Sequence, residues 1–333
     1  MGIKMNEYQT VQGLLSDANM ERDLYDWGFT NQVIHVQDRS QTVYTGKGQL
    51  FLVTLPEGKV VLKKQENVGI EAKNLQRKKR YFPSNYPQVY SINSGVLLLE
   101  FIEGPSVWER VECGEPISLE FMVTHIADIH DLGKRQLAAG EIDFKLKGYA
   151  DYCGSKFGRH LAGILEFGFE KAYSDLKREV ETKLNSYNPV EHVDANLRNW
   201  VGSAKIDETN DTLSVPHLTL KSMLEYGPLN LDKPELDKLY RLYCDRASCD
   251  FDNFMEFNIY ADVIFHLNKV CREVRSLEKG KIENDANKAK ELRRHTIILR
   301  EALEGLLSSG HDVSGLLQLN DSITAHSRRR GWL

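Results

Sequence analysis

Residues 191–200 read EHVDANLRNW, and this stretch decides how the rest of the chain is interpreted. It places Asp194 two residues after His192 and five residues before Asn199. A carboxylate in such a loop can orient an attacking hydroxyl group or accept its proton, and a carboxamide oxygen is a ligand that Mg²⁺ accepts. Because His, Asp and Asn are also common in ordinary polar loops, the spacing needs support from the elements around it.

The residues ahead of this stretch follow the period of β-strands. Between Asn31 and Lys64, short apolar runs are separated by turn residues at 45–48 and 56–58, which predicts an antiparallel three-stranded meander. Residues 66–80 are rich in lysine and have apolar residues at helical spacing, which predicts an exposed helix. Two further strands are predicted before the small lobe ends near Gly104.

The period changes to about 3.6 residues after Gly104. Amphipathic segments predict a second, mainly helical lobe, at residues 119–129, 164–184, 236–244, 251–275 and 287–307. Residues 190–228 are rich in Asn, Asp, Gly and Thr, and we place the chemistry there. The predicted organisation is an N-terminal extension (1–30), an N-lobe (31–104), a helical C-lobe with the loop above (105–310) and a C-terminal tail (311–333).

The composition is that of a globular chain long enough for two lobes, with 333 residues of which 41% are hydrophobic and 27% charged. A net charge of -5 offers no basic surface for nucleic acid, so no nucleic-acid partner is predicted. The five cysteines form no CxxC pair, which is typical of reduced thiols in the cytoplasm. No apolar run suggests a signal peptide or a membrane span, and the oligomeric state is not predicted.

A lysine near the end of the predicted third strand is a candidate for binding phosphate. Residues 59–63 read KVVLK, and we favour Lys63 over Lys64 because it shares a face with the apolar residue two positions earlier. In the following helix Glu71 is a candidate ion-pair partner for Lys63, and Glu66 is a rival. An exposed edge-strand lysine and an exposed helical glutamate are the ordinary alternatives.

In this order of elements, residues 191–200 resemble the H-x-D-x-x-x-x-N catalytic loop of the aminoglycoside-phosphotransferase and choline-kinase family. Residues 121–133 resemble the first large-lobe helix of that family, and residues 226–232, YGPLNLD, resemble its G-P-x-x-x-D stretch. The resemblance covers about residues 30 to 275 in the family's order. It implies an α+β, bilobal protein-kinase-like fold, with a small antiparallel β-rich N-lobe and a larger, mainly helical C-lobe. The sequence fits a eukaryotic-type protein kinase less well, because no D-F-G or A-P-E segment follows the loop.

The resemblance also implies an activity. The chain would transfer the γ-phosphate of ATP, with Mg²⁺, to a hydroxyl group of a small polar molecule. Asp194 would be the base or would orient the acceptor, His192 would brace the loop, and Asn199 would bind the metal ion. Lys63 and Glu71 would grip the phosphates.

Two further segments complete the predicted nucleotide site in the N-lobe. Gly46 and Gly48 lie between two strands, where a glycine turn lets backbone N–H groups approach phosphates. Residues 97–104, LLLEFIEG, resemble the family's hinge, so that the backbone at Glu100 and Ile102 would contact the adenine edge.

One position departs from the family, in which the strand after the catalytic loop ends in a magnesium-binding aspartate. Residues 216–220, PHLTL, look like that strand, but Lys221 follows them. Three interpretations stay open. The metal ligand is Asp207, which requires a tight turn at residues 202–203; or Lys221 reaches the phosphates as a point charge; or the protein is a pseudokinase that binds nucleotide or a partner without phosphoryl transfer.

Overall fold

The computed structural model describes residues 5–17, 20–30, 32–39, 48–146, 148–151, 153, 161, 169–225, 229, 231–278 and 285–333. The chain divides into two compact units. The first contains Met1–Ile129, Val193–Asp211 and Met223–Leu231, and the second contains His130–His192, Thr212–Ser222 and Asp232–Leu333. A five-stranded sheet lies in the first unit and most helices lie in the second, which confirms the predicted α+β class.

The sheet of the first unit is antiparallel, with the strand order β1-β2-β3-β5-β4. Its strands are β1 (His35–Asp38), β2 (Gln49–Leu55), β3 (Gly58–Lys64), β4 (Val89–Asn93) and β5 (Val96–Glu100). The predicted meander is therefore confirmed as β1 to β3. Since β3 lies between β2 and β5, Lys63 faces Leu50 on one side and Leu97 on the other, in the interior of the sheet and not on an edge.

The helices of the first unit include two at the N-terminus, in the segment predicted as an extension. They are α1 (Met5–Asp17), α2 (Met20–Asp26), α3 (Val68–Tyr81) and α4 (Val107–Glu112). Leu15 of α1 and Leu24 of α2 are 2% and 0% exposed and belong to the same apolar cluster as Val53 and Leu62 of the sheet. The N-terminal helices thus complete one face of the sheet's core.

The second unit is built mainly from long helices. Its elements are α6 (Phe169–Asp175), a π-helical turn (Leu176–Glu181), α7 (Thr182–Leu184), α9 (Lys233–Ala247), α10 (Phe251–Glu278), α11 (Asp285–Ser308) and α12 (Ser314–Arg329), with a small sheet of β6 (Lys145–Leu146), β7 (Val190–Glu191) and β10 (Thr212–Ser214). Helices α5 (Leu119–Ala138) and α8 (Pro216–Leu224) contribute residues to both units. Among the described residues, no helix is long and apolar enough to span a membrane.

The predicted strand over residues 216–220 is wrong, because these residues begin helix α8. The sequence alternates apolar and polar residues over only five positions, which fits a strand and a helix equally well. Pro216 is the first residue of the helix, a position where its missing N–H costs nothing. Leu220, Met223 and Leu224 follow at helical spacing and are all buried, so burial of one helical face determines the outcome.

The last residues of the chain, within the segment predicted as a C-terminal tail, form α12. Leu316, Leu319 and Ile323 of this helix are buried. At its start, the backbone N–H of Gly315 donates to the buried carboxylate of Asp175, over 2.8 Å. The helix is therefore part of the packed second unit.

Candidate active site

A tight hairpin follows the 191–200 stretch. After a 3-10 turn (Leu197–Asn199), strands β8 (Trp200–Val201) and β9 (Ala204–Lys205) pair in antiparallel register. The connecting residues are Gly202 and Ser203, and Gly202 has φ 57°, the sign that a II′ hairpin turn needs at its first central position. This is the turn that the Asp207 interpretation requires.

The hairpin brings the two predicted metal ligands to one end of its strands. Beyond the paired strands, the N–H of Ile206 donates to the carbonyl of Asn199, over 2.8 Å. Asn199 therefore lies opposite Ile206, and Asp207 is the next residue along the chain, two positions after the end of β9. The eight residues from Asn199 to Asp207 are enough to bring a carboxamide and a carboxylate to the same end of the hairpin.

Hydrogen bonds within the loop fix the orientation of Asn199. Its side-chain nitrogen Nδ2 donates to the backbone carbonyl of Asp194, over 3.4 Å, so the amide oxygen is the atom that can face a cation. The carboxylate of Asp194 accepts from the N–H of Asn196, over 3.3 Å. Asn196 in turn caps the 3-10 turn, with its side-chain oxygen accepting from the N–H of Arg198.

Lys63, Glu71 and Asp207 come together in the first unit. The ammonium nitrogen of Lys63 lies 2.8 Å and 2.7 Å from the two carboxylate oxygens of Glu71, and 3.6 Å from Oδ1 of Asp207. Gln65 donates to Glu71 from the same strand end, over 3.1 Å. The exposed Glu66 is not the partner of Lys63; the buried Glu71 is.

Burial and neighbouring charges act in opposite directions on this cluster. Burial raises the pKa of Glu71 to about 7; the Lys63 ammonium group opposes the rise and the Asp207 carboxylate adds to it. Burial would lower the pKa of Lys63, but the carboxylates of Asp207 and Glu71 outweigh it, so that the pKa is raised. The lysine therefore stays charged at neutral pH, whereas Glu71 titrates near it.

A second, fully buried set of charges holds the helix that carries Glu71 to the segment that carries Asp207. Glu208 receives the ammonium groups of Lys78 from α3, at 2.6 Å, and of Lys205, at 2.8 Å, and all three side chains are 0% exposed. Asn74, one turn before Lys78, donates to the backbone carbonyls of Glu208 and Asn210. Burial raises the pKa of Glu208, but the two lysines outweigh it and bring the pKa down to about 2.

Sequence reasoning missed this buried set. Lys78 and Glu208 are 130 residues apart, and a lysine on a Lys-rich helix has no local feature that distinguishes it from its exposed neighbours. The only signal was the acidic pair Asp207-Glu208 after an apolar residue, because two adjacent carboxylates next to a strand need cations.

The residues at the end of the hairpin fit a magnesium ion. Oδ1 of Asp207 is buried and accepts no hydrogen bond, and the Lys63 ammonium group lies 3.6 Å from it, beyond hydrogen-bonding distance. Mg²⁺ is a hard cation that takes oxygen ligands, commonly from one or two carboxylates together with phosphate oxygens. Asp207 offers a carboxylate oxygen, and Asn199 at the same end of the hairpin offers an amide oxygen.

The other predicted positions are placed as follows. Glu100 ends β5, and its side chain accepts from the N–H of Gln88, over 2.8 Å; Ile102 follows in an irregular segment and is half-buried. Gly48 immediately precedes β2, and Gly46 lies outside the described residues. His192 lies in the second unit, where its backbone N–H donates to the carbonyl of Thr212, over 2.8 Å.

Lys221 does not occupy the position that the sequence interpretation gave it. It lies on α8 and is 1% exposed, and its ammonium group is 2.6 Å from Oδ1 of Asp262 on α10. The strands that follow the 191–200 stretch are β8 and β9, and Asp207 lies two residues after the end of β9. The predicted strand end at Lys221 is therefore wrong, and the acid that follows the strands of the hairpin is Asp207.

The sequence matches no protein-family model and no curated protein sequence. The fold, in contrast, resembles solved kinase structures. A choline kinase from Cryptosporidium parvum Iowa II matches with a TM-score of 0.56 at 14% identity, over 91% of this chain and 99% of that one. Choline kinase LicA from Streptococcus pneumoniae matches with a TM-score of 0.54 at 11% identity, over 87% and 98% of the two chains. LicA in complex with AMP matches with a TM-score of 0.53 at 12% identity, over 85% and 98%.

These likenesses establish the fold. The chain has the protein-kinase-like fold in the form found in choline kinases, as the resemblance of the sequence implied.

Proposed function

We propose that this protein is a phosphotransferase that transfers the γ-phosphate of ATP, with Mg²⁺, to a hydroxyl group of a small polar molecule. The observation that carries the proposal is the cluster of Lys63, Glu71 and Asp207, which joins a strand, a helix and the catalytic hairpin within one unit. Kinase-type phosphoryl transfer uses a strand lysine that forms an ion pair with a helical glutamate. It also uses an acid that follows the catalytic loop, and both features are present here. The likeness to choline kinases, one of them with bound AMP, supports the same reaction class.

Each residue has a role in this proposal. Lys63 binds phosphate oxygens, and Glu71 fixes the position of its ammonium group. Asp194 orients the acceptor hydroxyl group or accepts its proton. Asn199 and Asp207 hold the metal ion, which when bound neutralises charge on the phosphates.

Further residues are candidates for contacts with the adenine ring and the phosphates of the nucleotide. The backbone at Glu100 and Ile102 is proposed to contact the adenine edge, and Gly46 and Gly48 to approach the phosphates. His192 braces the loop. A cytoplasmic location is part of the proposal, because ATP and cysteines that form no disulfide are both typical of that compartment.

The pseudokinase hypothesis loses its motivation, since Lys221 is paired with Asp262 on a helix. It predicts no turnover and no dependence of nucleotide binding on magnesium. Both hypotheses can therefore be separated by one binding experiment.

Magnesium is expected to tighten the binding of ATP, and Asp207 is expected to be responsible. The experiment is calorimetric titration with ATP, with and without Mg²⁺, for the wild type and for Asp207→Asn. The substitution keeps the size of the side chain but removes its charge, so we expect the magnesium-dependent gain in affinity to fall at least tenfold. In contrast, Asp211→Asn, an exposed neighbour in the same segment, should leave the gain unchanged. Equal affinity for ATP with and without magnesium in the wild type would favour the pseudokinase.

The affinity for ATP is expected to rise with pH between about 6 and 8. Burial raises the pKa of Glu71 to about 7, so below that value the carboxyl group is protonated and no longer holds Lys63 as an ion pair. Above it, the ion pair forms and presents the ammonium group in a fixed position. The pH series is measured by titration with ATP at constant magnesium. Glu71→Gln should bind ATP more weakly and without this pH dependence; an unaltered pH dependence in that variant would assign the titration to another group.

The acceptor is to be found by a screen for ADP formation. Choline-like alcohols come first because of the choline kinases that share the fold, followed by amino sugars and neutral sugars. A positive acceptor is one that raises ADP formation above the rate with water alone, with stoichiometric appearance of the phosphorylated product by mass spectrometry.

A further inference from the structure

Two cysteines meet at the C-terminal end of α9. Ser248 directly follows the helix with φ 51°, a left-handed conformation, and the N–H of Cys249 donates to the carbonyl of Cys244, over 3.0 Å. This six-to-one hydrogen bond is the mark of a Schellman motif, which brings the side chains of these two positions into contact. In most proteins that contact is made by two apolar residues. Here it is made by two thiols, which are hydrogen-bonded to each other.

The turn that holds the second thiol is fixed on both sides. Asp250 accepts from the N–H of Asn253, over 2.7 Å, at the start of α10. Cys249 also makes a side-chain hydrogen bond with Tyr187, whose ring packs at 4.9 Å against that of His217. The thiol of Cys249 is thereby kept in one place between two helices of the second unit.

The two thiols differ in exposure and in acidity. Cys244 is buried, and Cys249 is half-buried and so within reach of small solutes. The hydrogen bond from Cys244 lowers the pKa of Cys249 to about 7; burial opposes this, and the Tyr187 hydroxyl group and the charge of Lys134 assist it. The same hydrogen bond, together with burial, raises the pKa of Cys244. The more exposed sulfur, that of Cys249, is therefore the one that loses its proton more readily.

We propose that Cys249 and Cys244 are a peroxide-sensitive pair that closes to a disulfide. The oxidant is hydrogen peroxide. The Cys249 thiolate attacks one peroxide oxygen, the O–O bond breaks, and the hydroxide that leaves takes up a proton as water; Cys249 is oxidised to a sulfenic acid. The Cys244 sulfur then attacks the Cys249 sulfur, the S–S bond forms, the S–O bond breaks, and the hydroxyl group leaves as water with the proton of Cys244.

Two of the three described cysteines outside the pair, Cys113 and Cys271, serve as internal references. Cys113 is exposed and lies in the first unit, so it tests whether exposure alone is enough for oxidation. Cys271 is buried, so its oxidation would indicate a general loss of structure.

The test treats the full-length protein at pH 7 with low equivalents of hydrogen peroxide, followed by alkylation of the remaining thiols and peptide mass spectrometry. We expect a peptide that contains residues 244–249, that has lost two hydrogen atoms and cannot be alkylated, and that returns to two thiols on reduction. Oxidation of Cys113 before this pair, or no disulfide at these residues, would overturn the proposal.

Two variants assign the roles of the sulfurs. In Cys244→Ser, Cys249 is expected to stop at the sulfenic acid, which a dimedone probe traps. In Cys249→Ser, Cys244 should stay reduced; its oxidation at the wild-type rate would overturn the proposed order. Cys113→Ser is the matched control and should form the disulfide as the wild type does. Since a serine at a buried site can disturb folding, the wild-type peptide result stands as the primary measurement.

Discussion

Asp194→Asn is expected to lower kcat by about 10²- to 10⁴-fold, the range found when a general base or an acceptor-orienting group is lost. The carboxamide keeps an oxygen that can accept from the N–H of Asn196, so the loop should retain its conformation. What it loses is the negative charge that orients the acceptor hydroxyl group or takes its proton. The KM for ATP should change little, because Lys63, Glu71 and Asp207 bind the nucleotide in our proposal.

The measurement is steady-state kinetics with the best acceptor from the screen, or ATP hydrolysis with water as acceptor where no alcohol is turned over. Asp211→Asn controls for a general loss of acidic charge in the same unit and should retain wild-type kcat. Retention of kcat within a few-fold in Asp194→Asn would remove the residue from the reaction. A parallel loss of ATP affinity would indicate that the loop had collapsed.

The pair of Lys63 and Glu71 could be predicted from the sequence because its parts are local. Strand periodicity and turn residues predicted β2 and β3. Because side chains alternate between the two faces of a strand, Lys63 could be preferred over Lys64. Glu71 is eight residues after Lys63, one turn into the next helix, a separation at which few alternative partners exist. That β3 is an interior strand could not be read from this segment, because the order of the strands depends on the later β5.

The position of the proposed metal ligand, Asp207, was harder to predict because two registers were compatible with the residues. An apolar residue followed by an acid appears at Ile206-Asp207, close behind the catalytic loop, whereas the Gly-Pro landmark favoured the later residues 216–221. The choice depends on a two-residue turn at Gly202 and on the burial of one face of α8, and both are decided by packing. The apolar spacing in α1 was a signal that the sequence interpretation missed, since Val11, Leu14 and Leu15 lie on one helical face and are buried.

The buried set Lys78, Glu208 and Lys205 leads to the expectation that Glu208→Ala destabilises the protein by about 3–5 kcal/mol, as the removal of one partner from a buried ion pair typically does. Both ammonium groups are fully buried, and without the carboxylate they have to be neutralised or hydrated. The measurement is the midpoint of urea denaturation. Glu115→Ala is the matched control, since Glu115 pairs with Arg110 at 3.0 Å but is half exposed, and its loss should cost less than about 1 kcal/mol.

The stabilisation by Glu208 is expected to depend on pH in a definite direction. The pKa of Glu208 is about 2 in the folded protein and 4.5 for an ordinary glutamate, so its stabilisation is fully present above pH 4.5 and is lost as the pH falls through about 2. Glu208→Gln should therefore be less stable than the wild type at neutral pH, and the difference should shrink as the pH is lowered. A difference that is independent of pH would mean that packing, and not charge, accounts for the effect.

The same substitution links stability to the proposed chemistry. Glu208 touches neither nucleotide nor acceptor in our proposal. Through Lys78 it holds α3, which carries Glu71, to the segment that carries Asp207. Replacing all three side chains by apolar ones, as Lys78→Met, Glu208→Leu and Lys205→Met, should restore much of the stability, because no buried charge is then left without a partner. If ATP binding also returns, the ion pairs serve only to hold the helix in place. If stability returns without ATP binding, the charges themselves set the position of Asp207 beside Lys63.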